Sequence, residues 1–324
     1  MKFVSQLNED YIPTLEIDKG KIVKNPETPE RLKKVLKYFE TFHERLEVKN
    51  YPLNLLFHVH PKWYVQHIKE LSEKSKDNEY LPEVFLKDRI FDSGTPVTFQ
   101  TYNAALSAVN ATLTGAEEIV KTKENVYVIT RPPGHHATTD FAGGYCFFNN
   151  AAIASTFLYS QIKEKICILD IDFHHGNGTQ SIFYENPEIV YISIHGTPEH
   201  YFPWISGYKD EIGEGKGKGT NFNFPLSGKS SWNEYSIAFE KALDIITKIS
   251  PAILVVSLGY DTHIDDPIGD FKLESRDFFQ IGYEIKNLKI PTLFIQEGGY
   301  NKESNFEAAS NLFKNFEKEV NLYA

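Results

Sequence analysis

Residues 166–178, ICILDIDFHHGNG, constrain the fold more than any other stretch of this chain. The run opens on Ile166, Cys167, Ile168 and Leu169, the pattern of a strand buried on both faces. It then passes through Asp170, Asp172, His174 and His175 to Gly176-Asn177-Gly178. Unpaired charge is costly inside a core, so carboxylates and imidazoles at the end of a buried strand need a compensating partner. A metal ion is one such partner. If strand geometry continues through this stretch, Asp172 and His174, two positions apart, point to the same side. An oxygen and a nitrogen donor aimed at one point suit zinc or another divalent ion.

The flanking sequence predicts the sheet to which that strand belongs. Strands are expected at 126–130, 165–172, 189–195, 252–259 and 292–296. Helices are expected at 149–162, 180–184, 232–249, 274–287 and 305–319, and residues 196–230 read as one long loop. Upstream, Thr28 and Pro29 open a helix, 53–59 reads as a short strand, a helix runs from His60 to about Glu73, and 102–120 is an alanine-rich helix. This βα alternation predicts an α/β fold with a mostly parallel central sheet of about eight strands flanked by helices. No Pro/Gly/Ser-rich linker or internal repeat divides residues 1–324, so a single domain is expected.

Composition narrows the function classes. A net charge of −10 disfavours non-specific nucleic-acid binding and favours cationic substrates. No run reaches the roughly 18 apolar residues of a membrane span. The polar, acidic N-terminus does not read as a secretory leader. The two cysteines, Cys146 and Cys167, sit in apolar segments, so a reducing, cytoplasmic setting is expected.

Open parallel sheets bind ligands beyond the carboxyl ends of their strands. Five predicted strand ends carry chemistry there: His135 and His136; Asp170, Asp172 and His174; Ser193 and His195; Asp261; and Gly298-Gly299-Tyr300. Asp172, His174 and Asp261 form a three-ligand set of the catalytic-zinc kind, with one position open for a water whose pKa falls toward about 7. His135 and His136 are available to move protons, and Asp170 and Asn177 are the expected partners of their other ring nitrogens. An Asp partner favours a charged imidazole and an Asn partner does so less, so the pair divides its roles. A Tyr300 hydroxyl beside the metal would stabilise the oxyanion of a tetrahedral intermediate.

RPPGHHA (131–137), GGYCFFNNAA (143–152), ILDIDFHHGNGTQ (168–180), SLGYDTHIDDP (257–267) and EGGY (297–300) together resemble the zinc-dependent histone deacetylase superfamily, most closely its bacterial class II-like branch that includes the acetylpolyamine amidohydrolases. NPETPERL (25–32) and FDSGTPVTFQTYNAAL (91–106) also resemble family segments. The resemblance implies a single-domain arginase/deacetylase-like fold and hydrolysis of an N-acyl amide. One zinc would be held by Asp172, His174 and Asp261, with His135, His136 and Tyr300 catalytic. A potassium ion would be held by Asp170, Asp172, His174, Ser193 and Ile194, several through backbone carbonyls. Gly144, Tyr145 and Phe202 would line a tunnel with Ile268 at its rim. Asp92 carries over to the rim weakly, because the alignment also places Gly94 there. The related two-manganese ureohydrolases need Asp-x-Asp where this chain has Asp261-Thr262-His263, so one catalytic metal is expected. The implied function is removal of acetyl or other acyl groups from lysine side chains of a peptide or protein, or from similar primary-amine amides, with an acetylated polyamine of the putrescine or spermidine type as the alternative substrate. The short 74–92 segment argues against the polyamine branch, though Glu83 and Asp88 within it are candidate amine contacts. An acyl-lysine-binding protein without turnover is the non-enzymatic alternative, and the resemblance leaves a homo-oligomer open.

Overall fold

The computed structural model describes residues 1–18, 20–82 and 92–317. The elements in chain order are β1 (Lys2–Gln6), β2 (Leu15–Asp18), β3 (Lys21–Lys24), α1 (Glu30–Phe42), β4 (Glu44–Leu46), α2 (Lys62–Lys74), α3 (Thr101–Thr122), β5 (Val126–Thr130), α4 (Asn150–Ile162), β6 (Ile166–Asp170), α5 (Asn177–Phe183), β7 (Ile189–Gly196), β8 (Asn221–Leu226), α6 (Trp232–Ile249), β9 (Ile253–Leu258), α7 (Ser275–Asn287), β10 (Thr292–Gln296) and α8 (Lys302–Lys314). Eight strands form one sheet in the order β4-β1-β5-β10-β9-β6-β7-β8, and every pairing within it is parallel. β2 and β3 make a separate antiparallel hairpin.

β5, β6, β9 and β10 are wholly buried along their length, as continuous apolar runs covered on both faces must be. One face packs on α1, α6, α7 and α8, the other on α2, α3 and α4. α3 lies close to the sheet at Gly115, where a Cβ would come within 2.8 Å of a Val128 methyl. Asn149 caps α4 by accepting from the Ala152 amide, and Asn301 caps α8 by accepting from those of Glu303 and Ser304.

The topology explains why scattered motifs meet. β5, β10, β9, β6 and β7 are consecutive neighbours in the sheet, so the residues following their carboxyl ends share one edge.

Several expectations need correction. Residues 53–59 are not a strand: Leu53–His58 is a 3₁₀ helix after Pro52, burying only Leu56. The 196–230 loop contains β8, whose Asn221 and Asn223 are buried while Phe222 and Phe224 are half-buried, an alternation typical of a strand. Thr28 does not cap α1; Pro29 holds the cap position and no side chain bonds there. The last helix starts at Lys302 because Asn301 caps it. β6 ends at Asp170, so Asp172 and His174 converge from the turn beyond the strand.

Candidate active site

Asp172, His174 and Asp261 bring one ligand atom each to within 4.8 Å of one another. His174 Nδ1 lies 3.3 Å from Asp172 Oδ1 and 3.0 Å from Asp261 Oδ2. Backbone amides set the carboxylates: Phe173 N–H donates to Asp261 Oδ1, His174 N–H to Asp172 Oδ1 and Gly298 N–H to Asp172 Oδ2. Gly259 and Gly298 both press on this cluster. A Cβ on Gly298 would sit 2.6 Å from a carboxylate oxygen of each aspartate, and one on Gly259 would overlap Asp172. Both aspartates are buried. Burial raises the Asp261 carboxyl, and the charge of Asp172 raises it further, to about 7 against the pull of His174. Two buried carboxylates and one imidazole form a donor set that fits a divalent ion.

The histidine pair stands next to this cluster, with ring centroids 4.0 Å apart. His135 Nδ1 bonds Asp170 Oδ2 at 3.1 Å, and the same oxygen accepts from the Tyr191 hydroxyl. Burial lowers the His135 pKa, but the charges of Asp170, Asp172 and Glu297 outweigh it and lift it to about 10. His136 differs. Its Nδ1 lies 2.7 Å from Asn177 Oδ1, while Asn177 Nδ2 faces the His136 carbonyl. That amide orientation makes Oδ1 the acceptor, so Nδ1 carries the hydrogen and Nε2 keeps a free lone pair. Burial, then the neighbouring His135 and His174, push the His136 pKa well below the ordinary value. The two imidazoles are thus differentiated, one charged and one neutral. Gly144 is pressed against the His136 ring at φ +53°, where any side chain would overlap the imidazole.

Gly299 adopts φ +112°, the left-handed region that glycine tolerates, and turns the chain so that Tyr300 lines the cavity. Asp266 accepts from the Tyr300 amide at 2.6 Å. The Arg31 guanidinium lies 5.5 Å from the centroid of the Tyr300 ring, and Tyr145 meets the ring edge to face at 5.7 Å. Arg31 also donates to the Glu297 and Gly299 carbonyls.

This arrangement agrees with a sequence match of residues 25–316 to the histone deacetylase domain. The chain belongs to the histone deacetylase family. It is 44% identical over 227 residues to acetylpolyamine amidohydrolase 2 of Pseudomonas aeruginosa, covering 70% of this chain and 66% of the relative. It is 37% identical over 255 residues to histone deacetylase 6 of Caenorhabditis elegans, covering 76% of this chain and 26% of that protein. The aligned stretch therefore spans just under two thirds of the first relative's length. The solved structure of acetylpolyamine aminohydrolase from Burkholderia pseudomallei superposes with a TM-score of 0.93 at 29% identity, covering 98% of each chain. The deacetylase/arginase-like architecture expected from the sequence is the one observed.

A cavity of about 360 Å³ opens onto the cluster, and His136, His174, Gly144, Tyr145, Phe202, Ile268 and Tyr300 all line it. Phe202 meets the His136 ring edge to face at 4.9 Å. Asp92 also lines the cavity, but its carboxylate accepts from the Gly94 and Gly144 amides and so braces the loop. Glu83 and Asp88 lie outside the described residues. The β6–β7 register sets Asp170 beside Ser193, with Ile194 next along β7. His263 is engaged elsewhere, accepting from the Asp265 amide and bonding Ser275 Oγ.

Sequence reasoning missed Glu16, Asp18 and Trp204, which also line the cavity. Glu16 and Asp18 stand on β2, in a stretch with no motif. Glu16 is buried, held by the Asn25 side chain and faced by the Tyr145 hydroxyl, and burial raises its pKa to about 7. Trp204, 58% exposed, extends the aromatic wall from Phe202, with ring centroids 5.4 Å apart.

Proposed function

We propose that this chain hydrolyses the N-acetyl amide of an aliphatic primary amine, using one zinc ion held by Asp172, His174 and Asp261. The observation that carries this reading is the three-ligand cluster beside a charged and a neutral histidine. When bound, zinc supplies Lewis-acid polarisation of the carbonyl and acidification of a water. The chain's own groups do the rest. His136 Nε2, its lone pair free, takes the proton of the attacking water. His135, held charged by Asp170, stabilises negative charge developing nearby. The Tyr300 hydroxyl donates to the carbonyl oxygen as it becomes an oxyanion. The protonated imidazole returns its proton to the departing amine. A potassium ion on Asp170, Asp172, His174, Ser193 and Ile194 would fix the end of β6, supported by the adjacency of β6 and β7 there.

Glu16, Asp18 and Asp92 line the same cavity as the aromatic wall of Phe202 and Trp204. Carboxylates and aromatic faces in one cavity suit an alkylammonium, which favours an acetylated polyamine with a free distal amine over acetyl-lysine within a peptide. No helix among the described residues is long and apolar enough to cross a membrane, and a cytoplasmic setting fits the buried, unpaired cysteines.

The test is steady-state turnover of the zinc-loaded protein on acetylputrescine or acetylspermidine and on acetyl-lysine peptides. A kcat/KM at least about tenfold higher for the polyamines is expected; peptides winning would overturn the substrate choice. Tyr300→Phe should lower kcat by about 100-fold or more while retaining the metal. Near-normal turnover in that variant would sink the mechanism.

A further inference from the structure

Residues 197–220, between β7 and β8, carry Phe202 and Trp204, two of the aromatic groups that line the cavity. The segment is long, and its one regular element is the short 3₁₀ turn Gly215–Gly217. A loop of that length in a compact domain needs something to hold it. His195 bonds the Gly207 carbonyl and Asn223 the Tyr208 carbonyl, and one carboxylate gathers three further donors. Glu211 Oε2 accepts from the Gly207 amide at 2.7 Å, the Tyr208 amide at 3.1 Å and the Gln180 side-chain amide at 2.7 Å. The Tyr208 hydroxyl in turn donates to the Trp204 carbonyl at 3.1 Å.

Gln180 has one usable orientation. Its Oε1 takes hydrogen bonds from Asn221 Nδ2 at 2.9 Å, Asn223 Nδ2 at 2.8 Å and His175 Nε2 at 3.1 Å. Three donors on the oxygen leave the amide nitrogen facing Glu211. His175, its Nε2–H spent on Gln180, meets Ser206 Oγ through Nδ1 at 3.1 Å, a further link to the same loop. Gln180 also stands three residues beyond Asn177 on α5, and Asn177 orients His136. One helical turn therefore joins the base to the wall that faces it.

We propose that Gln180 and Glu211 are positioning residues that set the distance of the Phe202–Trp204 wall from His136, and thereby how tightly the substrate's methylene chain is held. The proposal rests on the deacetylase reading above. Neither residue reaches the reacting atoms. A wall that contacts the methylene chain equally in ground and transition states contributes uniform binding, so loosening it raises KM and spares kcat.

Gln180→Glu turns the amide that donates to Glu211 into a carboxylate facing a carboxylate. KM for the best substrate should rise about tenfold, with kcat changed by less than about threefold. Placing Gln180→Glu in a Glu211→Ala background removes the repulsion, so there it should add little to the effect of Glu211→Ala alone. A second readout needs no turnover: in a Trp63→Phe/Trp232→Phe background Trp204 is the only tryptophan left. Its fluorescence anisotropy should fall in Gln180→Glu and in Glu211→Ala. Unchanged KM and unchanged anisotropy in a folded variant would overturn the proposal, as would a loss confined to kcat. If Gln180→Glu does not fold, Glu211→Ala, at a half-buried position, carries both readouts. Failure of the deacetylase reading shows as no turnover in the unsubstituted protein, while the anisotropy still tests the tie.

Discussion

Glu27→Gln should destabilise the protein by about 4 kcal/mol although Glu27 contributes no atom to the cavity. Glu27, Arg31 and Arg131 are all buried. The Glu27 carboxylate receives Arg131 Nε at 2.7 Å and Nη2 at 2.6 Å, a bidentate pair, and Arg31 Nε at 3.2 Å. Arg131 spends its remaining donors on the carbonyls of Leu7, Asn8, Tyr11 and Glu27. Removing one partner of a buried ion pair costs about 3–5 kcal/mol, because a charge is left uncompensated. Here one carboxylate compensates two guanidiniums, and Arg31 Nη2 already lacks a partner. Against a typical stability of about 5–15 kcal/mol, that loss is large.

Function should follow. Arg131 opens the segment that carries His135 and His136, and Arg31 holds the carbonyls on either side of Gly298, two residues before Tyr300. Urea unfolding should show a lower midpoint at unchanged slope. Adding Arg131→Met removes the uncompensated charge, so the double variant should lose less than the sum of the singles by about 1 kcal/mol or more. Burial raises the Glu27 carboxyl, but Arg131 and Arg31 outweigh it and hold it below its ordinary value. Its contribution is therefore present above the unfolded value of about 4 and is lost as pH falls through the folded value, so wild type and variant should converge in acid. A loss below about 1 kcal/mol at pH 7 would refute this reasoning, since it would not stand clear of ordinary surface substitutions.

Two further outcomes test other parts of the molecule. His60 is buried, with Nδ1 donating to the Thr139 carbonyl and Nε2 accepting from the Asn149 amide; burial lowers its pKa to about 4. With an unfolded value of about 6.5, its neutral form contributes fully above that pH and the contribution is lost as pH falls toward 4, so wild type should lose about 2 kcal/mol more than His60→Gln between pH 7 and pH 5. An equal loss in both proteins, measured by urea unfolding, would refute the assignment. Gly298→Ala places a methyl 2.6 Å from a carboxylate oxygen of both Asp172 and Asp261, so divalent-metal affinity measured by chelator competition should fall by about 10–100-fold. Unchanged affinity would show that the cluster does not need those carboxylates where they stand.

The residues legible in the sequence are those whose partners are implied by sheet topology. Buried apolar runs placed β5, β6, β9 and β10, and parallel pairing put their carboxyl ends together, so His135, His136, Asp170, Asp172, His174, Asp261 and Tyr300 share one edge. Even the division between the histidines was readable, because Asp170 and Asn177 differ in charge. What escaped depends on chain segments that no periodicity connects. β8 was hidden because its alternating residues are Asn and Phe, and the asparagines face a polar network instead of solvent. Glu16 reaches the cavity through a hairpin tied down by Glu79, which accepts from Thr14 and Leu15, and by the Ile17 amide donating to the Ser93 carbonyl. Glu27 meets Arg131 across 104 positions. That contact places one carboxylate of the N-terminal segment between two buried guanidiniums. Because Arg31 also holds the carbonyls of Glu297 and Gly299 while Arg131 leads into the His135–His136 segment, perturbing Glu27 tests how the strand ends are held together without touching a residue in the cavity.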